Sequence, residues 1–185
     1  MSKPYDMIRP GSVLVAEPYL GDAYFGRATV RIAEHNESGS VGFILNKPLT
    51  FDVADLVAEF PSRGFTLGLG GPLQPQTLHF VHTLGSSVPG SVPLYGNLSW
   101  GGDFEVLCRL VEAGMAGPGD VRFFLGYSSW AEGQLREETE QEEWAVTTVA
   151  CETIMEDTEG LWYDLVARMP GHTHWLLVPL HPEDN

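Results

Sequence analysis

The side chains that could carry chemistry in this chain are its six histidines, its two cysteines and a crowd of carboxylates. A structural or catalytic metal needs three or four such groups converging on one point. His79 and His82 lie three apart in a strand-like run, so odd spacing sends them to opposite faces. His172 and His174 share a face at period two, but no third ligand lies near them in sequence. Cys108 and Cys151 belong to no Cys-x-x-Cys pair, and two reduced, packed thiols are expected. No metal and no other cofactor is expected. Gly126-Tyr127-Ser128-Ser129-Trp130 lacks the final glycine of a hydrolase nucleophile elbow. Gly68-Leu69-Gly70-Gly71-Pro72 has glycines enough for a phosphate loop, but Pro72 and the β-rich residues after it deny it the helix start that would face the phosphate.

Two kinds of site remain. The first is a pocket in which His35, Asn46, Gly71, Tyr127, Trp130 and Gln134 converge on a small ligand or substrate, with His35 as the group that titrates near neutrality. The second is a docking face. From Ser128 to Gly160 the chain carries Glu132, Glu137, Glu138, Glu140, Glu142, Glu143, Glu152, Glu156, Asp157 and Glu159 against one basic residue, Arg136. A solvated face that keeps the protein in solution is the plainer account of such a run. The sharper one is a surface that steers a basic protein partner, with Glu138, Glu142 and Glu143 exposed at its centre. No nucleophile–base pair can be named, so the sequence favours a non-enzymatic binding or adaptor protein over an enzyme.

The overall charge narrows the partners. With 25 acidic residues against 10 basic, the net charge is −15. That field repels a phosphate backbone, whose affinity for proteins comes from Lys and Arg displacing counterions, so no direct nucleic-acid binding is expected. An anionic membrane surface is repelled for the same reason. No apolar run has signal-peptide or membrane-spanning length, which makes the cytoplasm the default location. The oligomeric state is left open.

The elements that must position these residues follow from period and punctuation. Length and an ordinary apolar content of 43% predict a single domain over residues 1–185, with residues 1–10 and 183–185 mobile. Ser12–Ala16 reads as a buried strand, and residues 28–46 as a hairpin turned at 35–39, with Val30 and Ile32 on its buried face. Val53, Leu56, Val57 and Phe60 form one helical stripe, capped by Thr50 or Asp52 and stopped by Pro61. Strands are expected at 66–69 and 77–84, followed by a flexible loop over 85–93. Asp103 caps a helix carrying Phe104, Leu107, Leu110 and Val111. Residues 121–125 are apolar on both faces and predict a central strand. A helix over 130–143, a strand over 144–150, a helix over 161–169 and a closing strand over 175–180 complete the chain. Strands and helices alternate without a regular βαβ beat, which gives an α+β fold with mainly antiparallel pairing.

Four blocks of the chain together resemble the YqgE/AlgH family of bacterial proteins. They are AEPYLGDAYFGRATVRIAEHNESGSVGFILNKPL over 16–49, LGGPLQPQTLHFVH over 69–82, VRFFLGYSSWAEGQLREE over 121–138, and the closing LWYDL and HWLLVPLHPEDN. The resemblance implies several coiled, mainly antiparallel sheets, partly barrel-like, with three to four packed helices. It implies no chemistry. The family's old label as a transcriptional regulator sits badly with a charge of −15 if regulation means touching DNA.

Overall fold

The computed structural model describes residues 3–21, 23–156 and 158–179. Its framework is a curled, half-barrel sheet, and the fold is α+β. The strands are β1 (Ser12–Ala16), β2 (Thr29–Asn36), β3 (Gly39–Ile44), β4 (Leu67–Leu69), β5 (Leu73–His82), β6 (Val92–Pro93), β7 (Ser99–Trp100), β8 (Val121–Ala131) and β9 (Trp144–Thr148). They run in the order β6-β7-β5-β8-β3-β2-β1-β9, with β4 pairing parallel to β8 and every other pair antiparallel. The helices are α1 (Val53–Leu56), α2 (Phe104–Glu112), α3 (Gln134–Glu140) and α4 (Leu161–Arg168).

The strand β8 joins the two halves of the sheet. Val121–Leu125 pairs with β4 on one side and β5 on the other, whereas Ser128–Ala131 pairs with β3. The hand-over falls at Gly126, which has φ +68; a Cβ there would stand 2.6 Å from the Gly71 carbonyl oxygen and 2.7 Å from that of Leu73. Glycine is the residue that tolerates both the left-handed backbone and the close approach. Gly71, a candidate pocket residue in the sequence, faces the same crossing, since a Cβ on it would meet the Tyr127 carbonyl oxygen at 2.3 Å.

Both faces of the sheet are covered. On one face of the β5–β8 half, Phe60, Phe65, Phe80 and Phe123 pack under α2, with Phe60 and Phe123 edge to face at 5.3 Å. On the other half, Val13 and Val15 of β1 bury against Trp162, Leu165 and Val166 of α4. Consequently β2 is buried on both faces rather than half-buried. Arg31, on the face opposite Val30 and Ile32, is 2% exposed and donates to the carbonyls of Val149 and Ala150, each at 3.2 Å, and to the Tyr95 hydroxyl. Arg122 on β8 is 1% exposed and donates to the carbonyls of Leu45 (2.6 Å) and Ile154 (2.8 Å) and to the Thr158 hydroxyl (3.2 Å).

Several expectations need correction. The helix over 53–60 is a single turn: Asp52 caps it through Ala54 N–H, but the same carboxylate also accepts from Gly64 N–H, which draws the chain out of the helix after Val57. The helix expected from Trp130 starts only at Gln134, because β8 continues to Ala131 and Gly133, at φ +78, turns the chain. The closing strand is a 3-10 turn over Thr173–Leu177, and the rest of that stretch, from Leu180, lies outside the described residues. Within the first ten residues, Pro4–Met7 forms a 3-10 turn and Ile8 is buried beside Trp130 and Leu135; residues 183–185 lie outside the described residues.

Candidate functional site

The six residues expected to converge do not share one site: His35, Asn46 and the pair Trp130 and Gln134 line three different cavities, and Gly71 and Tyr127 sit at the strand crossing near Gly126. His35 lines a cavity of about 510 Å³ with Tyr5, Glu132 and Arg136. Its Nδ1 lies 2.7 Å from Ser40 Oγ, because the two residues are cross-strand partners of the β2–β3 hairpin and their side chains share a face. Burial lowers the His35 pKa, so the ring is neutral at physiological pH. Ser40 is 4% exposed, and among the described residues no carboxylate orients the other ring nitrogen, so the pair lacks the third member that would make a nucleophile of the hydroxyl. Asn46 lines a different cavity, where its side chain ties Thr29 to the carbonyl of Arg27. Tyr127 packs on the opposite face of the sheet from Trp130, edge to face with His79 at 5.5 Å. Trp130 and Gln134 are brought to one cavity, and Gly71 meets Tyr127 only through its backbone.

The histidines form no metal centre: no group of three or more His, Cys, Asp or Glu among the described residues could hold an ion. His79 is packed among Phe43, Trp100 and Tyr127. His82 is fully buried, with Nε2 against the Gly101 carbonyl and Nδ1 accepting from Leu84 N–H. Burial depresses the pKa of both. His172 and His174 lie on a 3-10 turn instead of a strand, beside Glu17, Glu142 and Glu143.

What the structure does assemble is an acidic corner built on Trp130 and Gln134. The indole N–H groups of Trp130 and Trp144 both donate to one oxygen of Glu138, each at 2.8 Å. The other Glu138 oxygen accepts from Gln134 Nε2 at 2.8 Å, and Gln134 Oε1 accepts from Ala131 N–H at 3.0 Å. The two indoles meet edge to face at 5.8 Å, and Phe25 packs on Trp144 at 5.4 Å. Glu138, expected to be an exposed docking residue, is therefore a half-buried structural carboxylate. The sequence hides this because Trp130 and Glu138 lie eight apart, which is no helical contact; only the end of β8 and the turn at Gly133 fold them together.

The helix α3 then ends in a backbone motif that places the other two candidates. Glu142 N–H bonds to the Thr139 carbonyl at 3.2 Å and Glu143 N–H to that of Glu138 at 3.0 Å, the paired bonds of a Schellman cap. The left-handed position of that cap usually holds glycine, and here it holds Glu142 at φ +61. Its side chain is exposed, and the turn delivers Glu143 beside Glu138 and Glu17. Glu143 has its pKa raised, first by burial and then by the charges of Glu138 and Glu17. No Lys or Arg forms an ion pair with any of these three among the described residues. Glu138 and Glu143 line a cavity of about 360 Å³ walled by Leu20, Phe25, Leu73, Trp130 and Trp144. A cation entering it would meet two carboxylates and aromatic rings, both attractive to positive charge.

A curled, mainly antiparallel half-barrel whose charged corner is set by two tryptophans on one glutamate defines the class: a small α+β protein. The chain belongs to the AlgH-like family, whose model matches residues 13–174. It is 40% identical to a UPF0301 protein of Chlorobium limicola over 88% of this chain and 87% of the relative, and 41% identical to one of Parabacteroides distasonis over 93% and 89%. Among solved structures it is similar to a protein of Corynebacterium diphtheriae (TM-score 0.73, 25% identity, 92% of this chain and 91% of that one). It shares its fold with the AlgH protein of Pseudomonas aeruginosa (TM-score 0.72, 24% identity, 97% and 98%). No helix among the described residues is long and apolar enough to cross a membrane.

Proposed function

We propose that this chain is a non-enzymatic binding protein that docks a basic protein partner on the acidic corner formed by α3 and the start of β9. The observation that carries this reading is Glu143. It is held near Glu138 and Glu17, where burial and like charge oppose its ionisation, with no basic side chain in ion-pair contact among the described residues. A Lys or Arg side chain from a partner would relieve that repulsion and cover Phe25 and Leu73, so the strain becomes affinity on binding. Glu132, Glu137, Glu140 and Glu142 are exposed around the same helix and extend the field that steers a basic partner. A regulatory effect would pass through that partner instead of through DNA, since a net charge of −15 repels the duplex.

The test is fluorescence anisotropy with a labelled lysine-rich peptide and a labelled acidic peptide of equal length. The basic peptide should bind, weaken steeply with added salt, and lose at least about tenfold in affinity to the Glu143→Lys variant. Equal binding of the two peptides, or a Glu143→Lys variant that binds as the parent does, would remove the reading.

A further inference from the structure

A second cavity, independent of the acidic corner, has the opposite charge character. It encloses about 520 Å³ between the segment joining β1 to β2, the end of β3 and α4, and Arg27, Lys47, Tyr19, Trp162 and Tyr163 are among its lining residues. Arg27 sits at φ +51, a left-handed conformation uncommon for a side chain other than glycine. Its backbone is clamped there: Asn46 Nδ2 donates to the Arg27 carbonyl at 2.8 Å, and Lys47 Nζ to that of Gly26 at 2.8 Å. Asn46 is itself buried and fixed by Thr29 at 2.7 Å. Strain retained at one residue by so many contacts is a mark of functional sites, and here it serves to aim a guanidinium.

The guanidinium is incompletely satisfied. Nη2 donates to the carbonyls of Val178 and Pro179 at 2.7 and 3.0 Å. Nε is buried without a partner. Nη1 makes no hydrogen bond among the described residues and is not among the buried unpartnered atoms, so its two N–H groups remain open, and Arg27 is one of the residues that line the cavity. No carboxylate among the described residues pairs with Arg27. The Arg27 side chain lies over the Trp162 ring at 5.4 Å, and Trp162 is itself held by its indole N–H on the Ala16 carbonyl at 2.8 Å. Arg27 is thus a fixed cation presented from an aromatic wall, with Tyr163 43% and Tyr19 63% exposed around it.

We propose that this cavity binds an aromatic carboxylate, with Arg27 as the carboxylate-binding residue and Tyr163 and Tyr19 packing on the ring. Available N–H donors on a fixed guanidinium select a carboxylate or a similar anion. The aromatic lining selects a planar body, and the volume suits a small molecule. The chain is strongly acidic overall, so a polyphosphate is repelled more strongly than a single negative charge.

The probe is 2-naphthoate, with neutral 2-naphthamide as its isosteric control, titrated into the full chain and read by heteronuclear NMR and calorimetry. Naphthoate is expected to bind with a Kd below about 1 mM, shifting the Arg27 Nε–H and Trp162 indole signals. Naphthamide should bind at least about tenfold more weakly. Arg27→Gln should abolish binding, and Tyr163→Ala should weaken it while leaving the thermal midpoint within a degree or two of the parent's. If Arg27→Gln fails to fold, the acid–amide comparison on the parent protein and the Tyr163→Ala variant still decide. Equal affinity for acid and amide would overturn the proposal, as would no naphthoate binding at about 1 mM or unchanged binding by the Tyr163→Ala variant.

Discussion

Two parts of the molecule withdraw ionised groups from water, and they do it to different ends. On one face of the sheet, Arg31 and Arg122 are almost wholly buried, and their N–H groups end on carbonyls of the segments at 45, 149–150 and 154. Those bonds cross from strand to loop and fasten the stretch after β9 onto the sheet. On the opposite face, half-buried Glu138 is held by two indole N–H groups and Gln134, yet its neighbour Glu143 is left beside it with no Lys or Arg in ion-pair contact among the described residues. A satisfied buried charge is a fastener. A partly buried charge pressed against like charges is an invitation to a counter-charge. The comparison separates the tied carboxylate from the one on which the proposed docking site rests, within one short acidic run.

The largest effect should come from the fasteners. Arg122→Ala would strand the Ile154 carbonyl in the interior, leave the Leu45 carbonyl with the Thr158 hydroxyl as its remaining side-chain donor, and open a cavity. We expect a loss of about 3–5 kcal/mol, measured from urea unfolding midpoints at constant m. A loss below about 1 kcal/mol would show that water replaces the guanidinium, and the arginine would then be no more structural than a surface charge.

Next comes Glu138. Replacing it by Leu leaves the indole N–H groups of two buried tryptophans without their acceptor, for a cost of about 2–4 kcal/mol. Glu138→Gln keeps one acceptor oxygen and should cost about half as much. If Glu138→Leu is as stable as the parent, Glu138 belongs with the docking residues and the distinction drawn above fails.

That distinction was only partly legible in the sequence. The β2–β3 hairpin, α2 with its Asp103 cap and the apolar run at 121–125 were readable, because their signals are local: alternation, a capping residue and a stripe. The burial of Arg31 and Arg122 was not, because the carbonyls that satisfy them lie 118 and 77 residues away in the chain. The joint bonding of Trp130 and Trp144 to Glu138 was obscured by a strand that runs on through Gly126, where composition suggested a turn into a helix. The glutamates themselves were visible, but counting them could not divide them into Glu138, which is tied, Glu142, which is turned outward, and Glu143, which is confined. The candidate pocket failed to converge for a related reason. Its members alternate across a two-sided sheet, and a one-residue change of parity at a bulge sends neighbours to opposite faces.

A smaller effect tests the turn that confines Glu143. Glu142 occupies a left-handed position without the glycine that would relax it. Glu142→Gly should stabilise the fold by about 0.5–1 kcal/mol, the strain of an L side chain there less the extra chain entropy of glycine. Destabilisation would mean that the Glu142 side chain makes a contribution that outweighs its backbone.

The smallest effect is the most specific to the acidic corner, and its sign is opposite to that of the other perturbed carboxylates. Asp55 and Glu140 have depressed pKa values, through their bonds to Arg63 and Lys3 first of all, so whatever they add is present at neutral pH and lost as pH falls through those low values. Glu143 is raised: ionised in both folded and unfolded chains at neutral pH, it opposes folding there. As pH falls through its raised value the native state takes up the proton first, and the penalty disappears before the ordinary glutamate range is passed. Glu143→Gln removes the charge at every pH. The variant should therefore melt above the parent at pH 7, and the gap between them should close on acidification through the region just above the ordinary glutamate pKa. A gap that stays constant with pH would mean that Glu143 titrates normally and is not confined. A parent that melts above the variant at pH 7 would mean that the carboxylate is already matched by a positive charge, and the docking reading would lose the observation on which it stands.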